Sequence, residues 1–324
     1  SGTEESDRTI VIASRKSKLA LVQSQLVLDE LQRLHPKMQF KIETYQTKGD
    51  RILDVSLNKI GDKGLFTKEL ENALLDRRAD IAVHSLKDMP SKLPDGLRIG
   101  AISKRENSTD AVVIHSRHEG KTLATLPDGS TIGTSSLRRV AQLSRKFPNY
   151  KFRSVRGNLQ TRLAKLDDYD TNHYDALILA TSGLERMGLT DRITERISKS
   201  ICLPAVGQGA LAIECREDDT FILEILDAIS HKETTLCCSA ERQFMKILEG
   251  GCQVPIGVNT ELQGEKLIIR GIVLSLDGSE CVEGEMISEQ CTVENAIAIG
   301  EELAKDLKNK GADKILQEIF NSTS

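Results

Sequence analysis

Short apolar runs alternate with stretches of helical periodicity over the first two thirds of the chain. Residues 8–14 and 39–47 predict strands, and residues 17–34 between them predict a helix that stops near Pro36. A further helix over about 67–77 leads into a predicted strand over 79–87. Strands that alternate with helices are typical of an α/β sheet that is largely parallel.

A second α/β unit begins near residue 106. Its predicted strands cover residues 110–116, 130–135, 151–156 and 174–184. Helices are predicted over 136–147 and, after a turn at Gly157-Asn158, from residue 159 onward. The stretch 204–216 then predicts a crossover back towards the first unit.

The pattern changes again from about residue 231. A helix over 234–248 is followed by Gly250-Gly251-Cys252, three strands (254–262, 266–275 and 281–287) and two helices split at Gly311. We predict a small α+β domain here. The expected domains are 1–105 with 208–230, then 106–207, and finally 231–324.

Residues 48–64 carry glycines at 49, 61 and 64 among several charges. Such a composition predicts a mobile loop with some apolar contacts, one suited to act as a lid.

Lys87 and Asp88 stand where the strand over 79–87 ends, because Pro90 biases Met89 away from helix. In open α/β sheets, ligands gather at the carboxyl ends of the strands. Asp88 is therefore well placed for function, although its position alone favours an ordinary turn or capping role.

A run of basic residues stands out between Gly129 and Leu166, which contains nine Lys or Arg and no Asp or Glu. The hydroxyl residues Thr134, Ser135 and Ser136 precede its first helix, whose N-terminus favours anions. Arg138, Arg139, Arg156 and Arg162, near turns and strand ends, favour a carboxylate-binding site. A solvated basic face is the favoured interpretation for Arg145, Lys146, Lys151 and Lys165.

Composition and charge exclude several other classes of function. The net charge of −4, the 3% of aromatic residues and the lack of Trp disfavour a nucleic-acid binder. No apolar run is long enough to span a bilayer, and residues 1–18 lack the apolar core of a signal peptide. The seven cysteines include no C-x-x-C pair, so we expect neither a disulfide framework nor a metal site. We expect the protein to be cytoplasmic.

Several motifs together resemble the porphobilinogen deaminase (hydroxymethylbilane synthase) family. They are SRKSKLALVQ, GLFTKELE, VHSLKDMP, GTSSLRR, VRGNLQTRL, AVGQGAL and LEGGCQVP, in the family's order and spacing. Residues 272–280 (IVLSLDGSE) favour its eukaryotic cytosolic members. Ala13-Ser14 stands where Gly-Thr is more usual, and residues 1–7 match nothing in the family. The resemblance implies two doubly wound domains of the periplasmic-binding-protein type II class, plus a small C-terminal α+β domain that carries a cofactor cysteine.

The resemblance also implies a function and a set of site residues. Cys252 would carry a dipyrromethane cofactor through a thioether, and Asp88 would be the catalytic carboxylate. The remaining cofactor-binding residues would be Lys87, Thr134, Ser135, Ser136, Arg138, Arg139, Arg162 and Arg186. The substrate-binding residues would be Arg15, Ser17, Gln23, Lys68, Arg156 and Gln208.

The implied enzyme is a transferase with porphobilinogen and the growing oligopyrrole chain as its partners. We expect a monomer that uses no metal and binds neither nucleic acid nor membrane. The competing hypothesis is a non-catalytic anion-binding module of the periplasmic-receptor type. That hypothesis suits the arginines but leaves Gly250-Gly251-Cys252 unexplained.

Overall fold

The computed structural model describes residues 7–51, 63–249 and 253–323. Its strands are β1 (Thr9–Arg15), β2 (Gln39–Tyr45), β3 (Ile81–Ser85), β4 (Leu97–Ile102), β5 (Asp110–Ile114), β6 (Thr131–Gly133), β7 (Lys151–Arg153), β8 (Ala176–Ala180), β9 (Glu195–Arg196), β10 (Leu211–Arg216), β11 (Ile256–Gln263), β12 (Lys266–Leu274) and β13 (Cys281–Ser288). Its helices are α1 (Lys18–Leu34), α2 (Lys48–Arg51), α3 (Lys68–Leu75), α4 (Leu137–Lys146), α5 (Leu159–Asp167), α6 (Tyr169–Asn172), α7 (Thr181–Arg186), α8 (Thr220–Asp227), α9 (Lys232–Glu249), α10 (Val293–Leu307) and α11 (Asp313–Thr323).

The chain divides into two compact units. Unit 1 comprises the described residues within 1–52, 63–106 and 210–235, and unit 2 those within 107–209 and 236–324. Each unit is built around its own hydrophobic cores.

Unit 1 contains a five-stranded sheet in the order β2-β1-β3-β10-β4. β1 pairs in parallel with β2 and β3, whereas β10 runs antiparallel to both β3 and β4. Four strands therefore share one direction and β10 opposes them. The sequence predicted neither β4 nor this reversal. All six residues of β10 are buried, as expected for a strand in the interior of a sheet.

Helices cover both faces of this sheet. On one face, Ile10 and Ile12 of β1 pack with Val27 and Leu31 of α1 and with Ile222 of α8. On the other face, α3 packs its buried leucines against Ala13 and Ala82. α1 begins where predicted because the Ser17 hydroxyl accepts a hydrogen bond from the backbone N–H of Ala20.

Unit 2 contains a second five-stranded sheet, in the order β7-β6-β8-β5-β9. β6 pairs in parallel with β7 and β8, and β5 runs antiparallel to β8 and β9. The reversed strand thus takes the fourth place in both sheets. β5 precedes its sheet partners in the chain, while β10 follows its own.

The C-terminal part of unit 2 is an antiparallel sheet in the order β11-β12-β13. Phe244 of α9 and Leu303 of α10 belong to the cluster that fills its core. The predicted break at Gly311 is present, with φ at +119°. The predicted architecture of two α/β domains and a small α+β domain is confirmed. No helix in the described part of the chain combines the length and apolar character needed to cross a membrane.

Candidate active site

Asp88 closes a 3-10 turn, Leu86–Asp88, that follows β3 directly. The turn is tied to the sheet because the Leu86 N–H donates to the Ala210 carbonyl over 2.9 Å. Lys87 and Asp88 are both half-buried, while Leu86 and Met89 on either side of them are buried. The structure therefore holds the carboxylate at the carboxyl end of a buried strand, as predicted.

Arg15 ends β1 in the same unit and forms an ion pair with Asp50. Its NH2 group lies 2.5 Å from Asp50 Oδ1, and its guanidinium stacks 4.2 Å from the centre of the Phe66 ring. Burial alone would raise the pKa of Asp50, but the bonds and charge of Arg15 hold it below its ordinary value. The ion pair and the ring contact therefore hold the Arg15 guanidinium in a fixed orientation.

The other predicted residues of unit 1 serve different local purposes. Ser17 caps α1, and Gln23 is buried and donates from Nε2 to the Ser85 hydroxyl over 3.2 Å. Lys68 is the exposed first residue of α3. Gln23 therefore supports the strand that leads to Asp88.

Arg138 and Arg139 do not project into solvent, since both are bound to the fully buried carboxylate of Asp110. Arg138 NH1 lies 2.6 Å from Asp110 Oδ2, and Arg139 Nε lies 2.9 Å from Oδ1. Burial alone would raise the pKa of Asp110, but the two guanidinium charges hold it far below its ordinary range. This carboxylate neutralises part of the predicted anion site from within the protein.

Gln208 completes this buried cluster. Its Nε2 donates to the Ser108 carbonyl over 2.7 Å and to Asp110 Oδ1 over 3.1 Å, and Arg138 NH1 also donates to the Leu203 carbonyl. The side chain of Gln208 therefore secures the Gly207–Gly209 turn, whose two glycines both have positive φ. This turn was predicted only as part of a crossover.

Of the three hydroxyl residues before α4, Ser136 is the N-cap, since its Oγ accepts from the Arg139 N–H. Thr134 Oγ1 accepts from the Ser136 N–H and so supports the cap residue. Ser135 Oγ instead donates to the Val155 carbonyl over 2.7 Å. The predicted capping role is therefore confirmed for Ser136 but not for Ser135.

Arg156, Arg162 and Arg186 are half-buried and lie on turns or short helices of unit 2. Arg162 Nε donates to the Gly157 carbonyl over 2.9 Å, and Arg186 NH2 donates to the Gly209 carbonyl over 2.8 Å. Gly157, at φ +113°, is required there because a Cβ would lie 2.7 Å from Thr161 Cγ2. Oriented guanidinium groups have the chemistry that a cofactor bearing several carboxylates needs.

Arg145, predicted to be solvated, is exposed but also forms hydrogen bonds within unit 2. Its NH1 donates to the carbonyls of Gly278 and Ser279 over 3.1 and 3.2 Å, which links α4 to the turn between β12 and β13. Part of the basic run therefore stabilises unit 2.

Two predicted features lie wholly or partly outside the described residues. Cys252 is one of them, and its role as the cofactor anchor stays a prediction from the resemblance. The other is the predicted lid over 48–64, of which residues 48–51 form α2 and residues 63 and 64 begin a 3-10 turn. In the described part of the chain, no group of three or more His, Cys, Asp or Glu side chains is arranged to hold a metal ion.

The sequence interpretation missed Asp50 and Asp110. Asp110 opens a buried apolar strand, and two adjacent arginines follow it 28 and 29 residues later. Because buried charges are almost always paired, an acid at the start of that strand was a usable signal. No comparable local pattern marks Asp50.

Two family models match the chain. The model described as porphobilinogen deaminase, dipyromethane cofactor binding domain, matches residues 10–224, and the porphobilinogen deaminase C-terminal domain matches residues 235–309. A porphobilinogen deaminase of a Synechococcus species is 54% identical over 309 residues, which cover 95% of this chain and 96% of the relative. The porphobilinogen deaminase of Dictyostelium discoideum is 52% identical over 318 residues, which cover 96% and 97%.

Solved structures show a weaker likeness. The periplasmic VFT2 domain of Bordetella pertussis BvgS is 15% identical with a TM-score of 0.41, covering 72% of this chain and 92% of that one. A putative periplasmic sulfonate-binding protein from Methylobacillus flagellatus is 13% identical with a TM-score of 0.39, covering 76% and 70%. The two family models and the full-length relatives decide the assignment: the chain belongs to the porphobilinogen deaminase family.

Proposed function

We propose that this chain is a hydroxymethylbilane synthase, with Asp88 as its catalytic carboxylate and Cys252 as its cofactor anchor. The reaction condenses four porphobilinogen molecules head to tail with release of ammonia, and hydrolysis then frees hydroxymethylbilane for tetrapyrrole and haem biosynthesis. The observation that carries this proposal is the family match over residues 10–224 and 235–309.

Asp88 is suited to the chemistry because its carboxylate is half-buried on a turn fixed to β3. When ammonia leaves porphobilinogen, positive charge develops on the pyrrole, and a fixed carboxylate stabilises that charge. The same carboxylate can accept and return a proton at the pyrrole nitrogen and the leaving amine. Lys87 lies beside it in the turn and would contact the cofactor.

The half-buried arginines would bind the acetate and propionate groups of the pyrroles. Arg162 and Arg186 of unit 2 and Arg15 of unit 1 supply guanidinium groups with oriented donors, and Arg156 of unit 2 adds a further half-buried guanidinium. Ser17, Lys68, Ser135 and Lys87 would add weaker polar contacts.

Three further predicted residues would support the site indirectly, by holding other side chains in place. Arg138, Arg139 and Gln208 hold the start of α4 through Asp110, so they would position Thr134 and Ser136. When bound to Cys252, the dipyrromethane supplies the primer to which the pyrroles are added.

Intact-mass measurement and a porphobilinogen assay test the anchor. The protein should carry an excess mass equal to two pyrrole units, react with Ehrlich's reagent and consume porphobilinogen. Cys252→Ala should remove the excess mass, whereas Cys291→Ala, a control at a half-buried cysteine, should keep it. An unchanged excess on Cys252→Ala would refute the anchor.

Kinetics test the carboxylate. Asp88→Asn should keep the excess mass but lose most of its turnover, because a neutral amide neither stabilises the cation nor accepts its proton. The exposed Asp95 offers a control, and Asp95→Asn should turn over normally. Near-normal turnover of Asp88→Asn would remove Asp88 from its role.

We also propose that the protein is a cytoplasmic monomer of the eukaryotic type. The segment 272–280 and the motifs quoted above support the subtype. Sedimentation equilibrium at several concentrations tests the monomer, since a mass that rises with concentration would contradict it.

A further inference from the structure

A buried cluster of titratable side chains lies in unit 1 and takes no part in the site described above. His84 comes from β3, Glu214 from β10 and Glu71 from α3. His84 Nε2 lies 2.9 Å from Glu214 Oε1, and these side chains are 2% and 0% exposed. Glu71 is buried as well, and its Oε1 accepts from the Thr67 hydroxyl over 2.9 Å.

Glu214 acts on Glu71 as a hydrogen-bonding neighbour and through its charge, and both effects raise the pKa of Glu71. Such a bond needs a proton on one of them, since an ionised carboxylate only accepts. Burial, followed by the hydrogen bond and the charge of Glu214, raises the pKa of Glu71 to about 8. Glu71 is therefore the member that holds the proton at neutral pH.

His84 is neutral in this arrangement. Burial lowers its pKa to about 4, although the negative charge of Asp88 acts in the opposite direction. Because Glu214 is an acceptor, the bond between them places the imidazole proton on Nε2. At pH 7 Glu214 thus accepts a hydrogen bond from the neutral imidazole of His84, while Glu71 holds its own proton.

The cluster is connected to Asp88 by the backbone. His84 lies one residue from the end of β3, and its register partner in β10 is Ala212. The turn that carries Asp88 follows at once, and its first N–H donates to Ala210, just before β10. The ionisable groups that act on His84 are its hydrogen-bond partner Glu214, Glu71 from α3, Asp88 from the turn and Arg15 from β1.

We propose that His84, Glu214 and Glu71 are positioning residues for Asp88. Their contacts hold β3, β10 and α3 together. The proton on Glu71 keeps a second negative charge away from the turn that carries Asp88. This proposal rests on the catalytic role of Asp88 proposed above.

The expected consequence is a loss of turnover at alkaline pH. When Glu71 loses its proton, two buried carboxylates repel each other, and the three elements that hold the turn are pushed apart. kcat should therefore fall along a limb with an apparent pKa of about 8. KM should change less, because three of the four arginines proposed to bind carboxylates, Arg156, Arg162 and Arg186, belong to unit 2.

The decisive variant is Glu71→Gln, studied as the cofactor-loaded enzyme. The glutamine keeps an oxygen for Thr67 and can donate to Glu214, but it does not titrate. Its kcat at pH 7 should stay within about two-fold of wild type, and its alkaline limb should move up by about one pH unit or more. Glu224→Gln, at an exposed position on α8, is the control and should leave the limb in place.

A second pair of variants separates positioning from folding. His84→Ala should lower kcat by about ten-fold with KM nearly unchanged, while His84→Gln, which restores a donor to Glu214, should recover part of it. Intact mass and a thermal melt at pH 7 show whether each variant is folded and loaded.

The outcomes are distinguishable. An alkaline limb that does not move in Glu71→Gln overturns the positioning proposal, whatever the histidine variants do. If Asp88→Asn turns over normally, the proposed function of Asp88 fails instead. If Asp88→Asn is inactive and the Glu71→Gln limb stays in place, only the cluster proposal fails.

Discussion

The buried carboxylate of Asp110 provides the sharpest test of how the basic run is held in place. It lies at 0% exposure and accepts from Arg138 NH1 and NH2, from Arg139 Nε and from Gln208 Nε2, over 2.6 to 3.1 Å. Asp110→Asn keeps the shape of the side chain and removes its charge. Two guanidinium groups would then remain buried around a neutral amide.

The cost follows from the loss of one partner of a buried ion pair. Such losses destabilise proteins by about 3–5 kcal/mol, because the remaining charge stays desolvated and unpaired. We expect Asp110→Asn to lie in this range, which lowers the folding equilibrium constant by roughly 10²–10⁴-fold at about 1.4 kcal/mol per factor of ten.

Urea unfolding followed by circular dichroism measures this cost. The matched control is Asp167→Asn, which breaks an ion pair of similar length. Asp167 lies 2.7 Å from Arg192 NH2, and the side chains of Arg192 and Asp167 are 33% and 57% exposed, respectively. An exposed pair contributes about 0–1 kcal/mol. Equal losses in the two variants would refute the view that Asp110 is a buried counter-charge.

The same carboxylate should make stability depend on acid pH. Its folded pKa lies far below the ordinary value, so below about pH 4 the unfolded state binds a proton that the folded state does not. The contribution of Asp110 is therefore complete above about pH 4 and declines as pH falls, by up to about 1.4 kcal/mol per pH unit. Asp110→Asn should lack this component, and an identical acid dependence in both proteins would contradict the assignment.

Three further predictions concern unit 2. Arg156→Gln should raise KM for porphobilinogen by about ten-fold or more, because a guanidinium proposed to bind a substrate carboxylate is lost; steady-state kinetics would contradict this if only kcat changed. Arg145→Ala should cost about 1–2 kcal/mol in urea unfolding, since it removes two bonds to the Gly278 and Ser279 carbonyls, and a neutral result would return Arg145 to the solvated face. Gly278→Ala should lower the melting temperature more than Gly264→Ala. Both glycines have positive φ, but only at Gly278 would a Cβ collide with a neighbouring atom, the carbonyl oxygen of Ala141. Equal shifts in the two variants would mean that this contact relaxes freely.

Local pattern was sufficient for much of the fold. The Ser17 cap, the apolar spacing of α1 and the stop before Pro36 lie within about one helix length of one another, so short-range rules predicted that helix. The Gly157-Asn158 turn and the break at Gly311 were predicted for the same reason. The position of Asp88 at the end of β3 also followed from the neighbouring Pro90.

The environment of the arginines could not be predicted in this way. Arg138 and Arg156 occur in one basic run with no acid between them, yet Arg138 is buried against Asp110 and Arg156 is half-buried on a turn. Which of them binds a carboxylate of the protein depends on the pairing of β5 with β8 and on the fold of α4 against that sheet. No periodicity along the run carries this information.

The sequence alone determined the element types, the family resemblance and the residue types available for carboxylate chemistry, because these depend on neighbours along the chain. Tertiary structure decided which charges are neutralised and which groups share protons. Glu71 and Glu214 are far apart in sequence and become a proton-sharing pair only when α3 packs on the sheet that contains β10. Such pairing depends on burial and on distances through space, and neither is encoded in any local pattern.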